Sequence, residues 1–206
     1  MNEDEKKLMV NAKKPVGELG SQILDRMNKS HEDMAVWGVS HFNISPDDVV
    51  LDIGCGGGRN VKRFASQALK VYGLDYSEVS VSKSSKLNED EIAAGKVEII
   101  QGSVSDLPFS DESIDIATGF ETVYFWPDFI GDLKEVKRVL KPGGLVFFCN
   151  ELTLGDNLQK RHEEIVELLD MKLFNEETFK KAFEEVGFSQ SQSFVKDDWI
   201  CTLAKK

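Results

Sequence analysis

The chain has no long apolar run. None of its hydrophobic stretches approaches the length of a bilayer span, and its N-terminus is charged rather than signal-like, so no membrane partner is expected. Basic residues are in deficit: 25 Lys and Arg stand against 36 Asp and Glu, for a net charge of −11. Phosphate backbones need a basic footprint, so a nucleic-acid substrate is not expected either. Lys6, Lys7, Lys13 and Lys14 lie close to acids and make no patch. Cysteine is scarce, with Cys55, Cys149 and Cys201 scattered and odd in number. Each sits in or beside a strand-like run, which reads as a buried thiol in a reducing cytoplasm. Neither these nor His31, His41 and His162 have metal-ligand spacing, so no metal is expected. Repeats and low-complexity tracts are absent too.

What is present is a chain of 206 residues, enough for one well-filled core and too short for two ordinary domains. From Val49 onward, strand-like runs alternate with helical ones, the signature of a parallel sheet covered on both faces. Near the end, Ser191–Lys196 and Trp199–Ala204 flank the polar turn Asp197-Asp198 and read as a hairpin, with one strand antiparallel to the rest. Before Asp47, the residues Leu19, Ile23, Leu24, Met27, Met34 and Trp37 recur at helical spacing, in a pattern broken near Ser30.

The densest signal is Val49-Val50-Leu51-Asp52-Ile53-Gly54-Cys55-Gly56-Gly57-Gly58-Arg59-Asn60. It reads as a buried strand, a glycine-rich turn and a helix beginning near Gly58. Such a turn is expected to present bare backbone N–H groups to a ligand. Gly54 and Gly56 match the first two glycines of the dinucleotide fingerprint, but the third position is Arg59, where a small residue is needed for close helix–strand packing. Asp52 is the second anomaly, a carboxylate inside an apolar strand. Burying it is costly without donors or a cation, so it repels a pyrophosphate and suits a ligand carrying an ammonium. The alternative is that Asp52 accepts hydrogen bonds from the turn itself.

These residues resemble the first motif of the class I S-adenosylmethionine-dependent methyltransferases, whose glycine turn cradles the amino-acid end of the cofactor. Further matches follow in family order. Lys70-Val71-Tyr72-Gly73-Leu74-Asp75-Tyr76-Ser77 is a second strand ending in an acid placed to accept ribose hydroxyls, with Ser77 free to cap the next helix. Tyr76 is placed to lie against a nucleobase. A third strand, from Val97, ends at Gly102 and leads to Ser103 and Val104, where the family usually has an Asp that contacts the adenine amino group; Ser103 is a departure, and Asp106 reads as a loop residue. Ser113–Phe120 is a fourth strand, running into Glu121-Thr122-Val123-Tyr124-Phe125-Trp126, where the resemblance puts the meeting of cofactor and methyl acceptor. Phe120, Tyr124, Phe125 and Trp126 are candidates for a dry aromatic lining beside a sulfonium. Phe129, Ile130, Leu133, Val136, Val139 and Leu140 mark a helix stopped by Lys141-Pro142-Gly143-Gly144, which delivers a fifth strand at Leu145–Cys149.

The resemblance implies a Rossmann-like α/β fold: a doubly wound, mostly parallel seven-stranded sheet with a C-terminal antiparallel hairpin strand. Residues 1–46 would form a helical cap, in which Met27, His31, Trp37 and His41 are candidates to face the site, and 47–206 the cofactor-binding domain. Implied contacts to S-adenosylmethionine, and to its product S-adenosylhomocysteine, are Asp52, Gly54, Cys55, Gly56, Asp75, Tyr76, Ser103, Val104 and Phe120. The expected reaction is in-line methyl transfer to a small-molecule acceptor. Glu121, His31, His41 and Tyr124 are candidate proton acceptors that the sequence does not rank. A non-catalytic S-adenosylmethionine-binding regulator, or a nicotinamide-dependent oxidoreductase, is the alternative. The oligomeric state and the acceptor are not legible.

Overall fold

The computed structural model describes residues 1–154 and 160–206. Three helices come first: α1 (Glu3–Val10), α2 (Gly17–Ser30) and α3 (Glu32–Val39). The pattern break near Ser30 is real, because His31 closes α2 and opens α3. Then β1 (Val49–Ile53), α4 (Arg59–Ala65), β2 (Lys70–Asp75), α5 (Glu78–Leu87), α6 (Glu89–Ala93), β3 (Val97–Gln101), β4 (Ile114–Phe120) and α7 (Phe129–Val139) follow. The chain ends with β5 (Leu140–Asn150), α8 (Lys160–Leu169), α9 (Glu176–Val186), β6 (Ser189–Lys196) and β7 (Trp199–Lys205).

The seven strands form one sheet in the order β3-β2-β1-β4-β5-β7-β6. Only β7 runs against its neighbours, pairing antiparallel with both β5 and β6. This is the doubly wound sheet the sequence predicts. Strand order reverses between β1 and β4, and in such sheets the crevice at the carboxyl ends of those strands is where ligands bind.

Alternation along the strands sorts side chains to the two faces. Leu51, Ala117, Val146 and Phe148 meet Leu133, Val136 and Val139 of α7 and Phe179 and Phe183 of α9. Phe148 lies near-parallel to Phe183, with ring centroids 6.2 Å apart at 9°. Each such fully buried aromatic stabilises the fold by about 1.5–3 kcal/mol. On the opposite face, Val50, Val71 and Ile116 pack on Val61, Phe64 and Ala65 of α4. Asp52 follows Val50 by two residues and therefore points to this second face, at the strand's end.

One boundary departs from expectation. Lys141-Pro142-Gly143-Gly144 stops α7, yet it lies within β5 rather than before it. Leu140 already pairs with Ile114, and the register then jumps so that Leu145 pairs with Ile116. The extra residues bulge opposite Asp115, whose carboxylate takes both Lys141 Nζ at 2.7 Å and the Val49 N–H at 2.9 Å. Among the described residues, no helix is long and apolar enough to cross a membrane.

Candidate active site

The glycine turn between β1 and α4 sits at the strand-order reversal. Its backbone donors are not bare. The N–H groups of Gly54 and Cys55 both reach the Leu74 carbonyl, at 2.7 and 3.0 Å, and Gly58 N–H bonds the Cys55 carbonyl at 2.9 Å. Gly56 N–H donates to Asp75 Oδ2 at 2.9 Å. The expectation of free donors is thus corrected for these four: β2 takes the Gly54, Cys55 and Gly56 groups, and the turn itself takes that of Gly58. A phosphate needs such a nest of N–H groups, so this turn is a poor pyrophosphate seat. Arg59 is not packed against the sheet. It turns outward to Glu32 at 3.1 Å, where Arg63 joins it at 2.7 Å and ties α4 to α3.

Asp52 is 2% exposed, and its Oδ1 accepts from Thr118 Oγ1 at 2.8 Å. Among the described residues no cation forms an ion pair with it. Burial pushes its carboxyl up to about 7, against the Thr118 hydrogen bond and the more distant charge of Arg63. A buried carboxyl that faces a cavity without a cation among the described residues is costly to ionise there. Asp75, at the end of the adjacent strand, is also raised by burial, opposed by the N–H groups of Ser77 and Gly56. Ser77 caps α5, accepting from Ser80 N–H at 3.2 Å, so Asp75 is not needed as the cap. Ser77 also donates to the Pro15 carbonyl at 2.6 Å, and Tyr76 OH donates to the Lys13 carbonyl. These bonds bring the chain before α2 over the site.

Two adjoining cavities open here, of about 310 and about 70 Å³, sharing Leu24, Met27, Gly54, Gly56, Phe120 and Glu121 as walls. The larger is bounded by Asp75, Tyr76, Ser103 and Val104, with Phe125 and Trp126 opposite and Lys13 and Pro15 overhead. Asp52, Cys55 and His31 line the smaller. All nine residues singled out as cofactor contacts therefore lie on these walls. Asp106 is an exposed loop residue that bridges back to Ser103.

The structure brings some of the other candidates in and leaves others out. Met27 and His31 line the site. Trp37 and His41 do not, because α3 lays that face on the C-terminal hairpin: His41 stacks on Phe194 at 4.0 Å and Trp37 packs on Trp199 at 5.9 Å. Tyr124 is core rather than lining. Its hydroxyl accepts the Leu152 N–H at 2.9 Å and stands 3.3 Å from Glu121 Oε1.

Glu121 has φ +58, a left-handed conformation uncommon outside glycine, directly after β4. Burial pushes its carboxyl up to about 7, partly offset by His31. Glu121 Oε1 also accepts the Glu151 N–H. His31 Nε2 stands 3.4 Å from Glu151 Oε2. Burial pulls the His31 pKa down, and Glu151 and Glu121 reverse this to leave it raised. Glu151 is lowered, first by the His31 hydrogen bond and then, against burial, by the charges of His31 and His162. Sequence reasoning missed Glu151. The signal available was its place just past the carboxyl end of β5, level with Glu121 after β4.

Comparison with known proteins agrees with this geometry. A family model described as a methyltransferase domain matches residues 51–148. A sterol 24-C-methyltransferase of Gibberella zeae is 29% identical, over 81% of this chain and 45% of the relative. A demethylmenaquinone methyltransferase of Staphylococcus aureus is also 29% identical, over 82% of this chain and 81% of the relative. The chain spans less than half the length of the sterol methyltransferases it matches. The crystal structure of an Aquifex aeolicus protein described as a SAM-dependent methyltransferase superposes with a TM-score of 0.73 at 18% identity, covering 90% of this chain and 97% of that one.

Proposed function

We propose that this chain, which carries the class I S-adenosylmethionine-dependent methyltransferase domain, transfers a methyl group from S-adenosylmethionine to a small-molecule acceptor in the cytoplasm. The observation that carries the reading is the pair Asp52 and Asp75, two buried carboxyls at the ends of adjacent strands, on either side of a turn whose Gly54, Cys55, Gly56 and Gly58 N–H groups are already bonded. That pair suits a ligand with an ammonium at one end, a ribose in the middle and no phosphate. Asp52 and Gly54 would hold the ammonium end beside Cys55 and Gly56, Asp75 the ribose hydroxyls, and Tyr76, Ser103 and Val104 the adenine. S-adenosylmethionine supplies an electrophilic methyl on a sulfonium with a neutral leaving group. Phe120, Phe125 and Trp126 exclude water there, and their faces favour a cation. Residues 1–46 act as a cap over the same cavities. Most of the rate then comes from holding an acceptor atom in line, about 3–3.5 Å from the methyl carbon. The sterol and menaquinone relatives support a small organic acceptor, as does the acid-rich composition.

Calorimetry with S-adenosylmethionine, S-adenosylhomocysteine and NAD tests the cofactor, and a panel of amines, thiols, phenols and carboxylates scored for S-adenosylhomocysteine release tests turnover. NAD binding without S-adenosylmethionine binding would sink the reading. Binding with no turnover across the panel favours a regulator instead. Asp75→Ala is expected to weaken S-adenosylmethionine by about 1–3 kcal/mol, the cost of losing hydrogen bonds to a charged acceptor. The same change leaves the Gly56 and Ser77 N–H groups unpaired, so the thermal midpoint falls as well. Unchanged affinity in a folded variant would reassign Asp75 to holding the turn.

A further inference from the structure

Three donors from three separate elements converge beside the smaller cavity. His31 comes from the α2–α3 junction, Glu121 from the end of β4, and Glu151 from just after β5. One ligand atom from each lies within 4.8 Å of the others. His31 and Glu151 balance as a pair while Glu121 stays protonated, as its rise to about 7 allows; ionising Glu121 as well calls for more positive charge than one imidazole carries. A divalent ion with a neutral imidazole balances both carboxylates.

A second observation points the same way. His162, in α8, stands near enough for its charge to act on Glu151. Its Nδ1 is shielded from solvent and has no hydrogen-bond partner among the described residues. Its nitrogens are not among the atoms that close to within 4.8 Å, so His162 is an unpaired polar neighbour of the cluster rather than one of its donors.

We propose that His31, Glu121 and Glu151, with His162 alongside, form a binding site for one divalent transition-metal ion, and that this ion holds the methyl acceptor through an oxygen or nitrogen donor. The second half rests on the methyltransferase reading; the first does not. Imidazole with carboxylates suits zinc, manganese, iron, cobalt or nickel, whereas magnesium and calcium prefer all-oxygen sites. Donors about 2.1 Å from one tetrahedral ion stand about 3.4 Å apart. The cluster needs to close by only a little over an ångström to reach that spacing. Tyr124 OH and the Glu151 N–H both engage Glu121 Oε1, which orients the carboxylate and leaves Oε2 for the ion. Three protein ligands leave one position to an outside donor when the ion is four-coordinate. Glu121 and His31 wall the cavity that also touches Asp52 and Phe120, so that donor would lie on the acceptor side of the cofactor. Spacing along the chain hides the set, since its members are 90 and 30 residues apart.

The full chain, stripped with a chelator and free of S-adenosylmethionine, is titrated with Co²⁺ by absorbance and calorimetry. One Co²⁺ per chain is expected, displaced by Zn²⁺ and not by Mg²⁺. His31→Ala and Glu151→Gln should each weaken it by more than the roughly 10–100-fold typical of losing an outer-shell partner. Asp75→Ala should bind Co²⁺ normally while losing S-adenosylmethionine affinity, and circular dichroism checks that each variant is folded. Failure to saturate, or Co²⁺ binding unchanged in both ligand variants, overturns the site. A hydroxamate probe should then shift the Co²⁺ absorption band; a band it leaves unmoved overturns the acceptor half. Co²⁺ binding without S-adenosylmethionine binding leaves the metal site standing and removes the methyltransferase reading. The reverse result removes the metal site alone.

Discussion

Affinity for S-adenosylmethionine is expected to fall by up to tenfold for each pH unit below about 7 and to level off above it. The cause is Asp52. Burial raises its carboxyl to about 7 in the empty protein, with Thr118 and Arg63 opposing and Asp75 reinforcing the rise. An ammonium prefers the carboxylate, so binding below that pH must first remove a proton, and the cost appears as weaker affinity. Calorimetry in two buffers of different ionisation enthalpy should find close to one proton released at about pH 6 and almost none at about pH 8.5. Asp52→Asn should flatten the profile and weaken binding at every pH, by the roughly 1.5–3 kcal/mol of a hydrogen bond to a charged group. A flat profile in the unaltered protein would remove Asp52 from the ammonium site.

The same group makes a stability statement of definite sign. Its folded pKa lies above its unfolded value, so its stabilising contribution is complete below about pH 4 and is lost as pH rises through about 7. A rise of that size is worth on the order of 4 kcal/mol. The empty protein should therefore melt at a higher temperature near pH 5 than near pH 8, relative to Asp52→Asn, and saturating S-adenosylmethionine should narrow the gap. On the proposed reading, the cost of Asp52 in the empty protein is recovered when S-adenosylmethionine binds. A residue that breaks a local folding rule is expected where function needs it, and a lone carboxylate does stand out in the apolar run from Val49 to Ile53.

What the chain made legible was local. Val49 to Ile53, the run from Lys70 that ends in Asp75, and Ser113 to Phe120 read as strands because apolar content and run length are properties of consecutive residues, and α7 read as a helix for the same reason. All nine implied cofactor contacts lie at the carboxyl ends of such strands or in the turns just beyond, and so their positions followed from the order of the motifs. What stayed hidden was long-range. Nothing near Gly54 announces that its N–H is taken by Leu74, or that Gly56 donates to Asp75. His31 and Glu151 meet across 120 positions of sequence, and the hairpin that claims Trp37 and His41 is the last element of the chain. Pro142-Gly143 ended a helix as expected, but the sequence does not say that Leu140 had already entered β5.

Gly54→Ala should damage both stability and binding, and Gly143→Ala is its control. Both glycines hold a left-handed φ, +71 and +77. That shared conformation costs an L-residue about 1–2 kcal/mol. Their surroundings differ. A Cβ on Gly143 meets nothing within 4 Å, while one on Gly54 falls 2.3 Å from Thr122 Oγ1 and 2.8 Å from Thr122 Cβ. Thr122 cannot simply give way, since Trp126 Nε1 bonds its hydroxyl at 3.4 Å and its methyl group already fills the space over Gly119, 2.9 Å from where a Cβ there would stand. Overpacking of this kind adds about 1–3 kcal/mol. Urea melts should therefore find Gly143→Ala destabilised by about 1–2 kcal/mol and Gly54→Ala by roughly 2–5 kcal/mol. The two must differ more in binding. Displacing Thr122 moves Glu121 and Trp126, which wall the larger cavity, so Gly54→Ala should lose measurable S-adenosylmethionine affinity while Gly143→Ala, whose bulge in β5 lies at the other end of the sheet, keeps it. Equal stability loss in the two variants would mean that only backbone conformation matters at Gly54. Full affinity in Gly54→Ala would place the cofactor away from the turn.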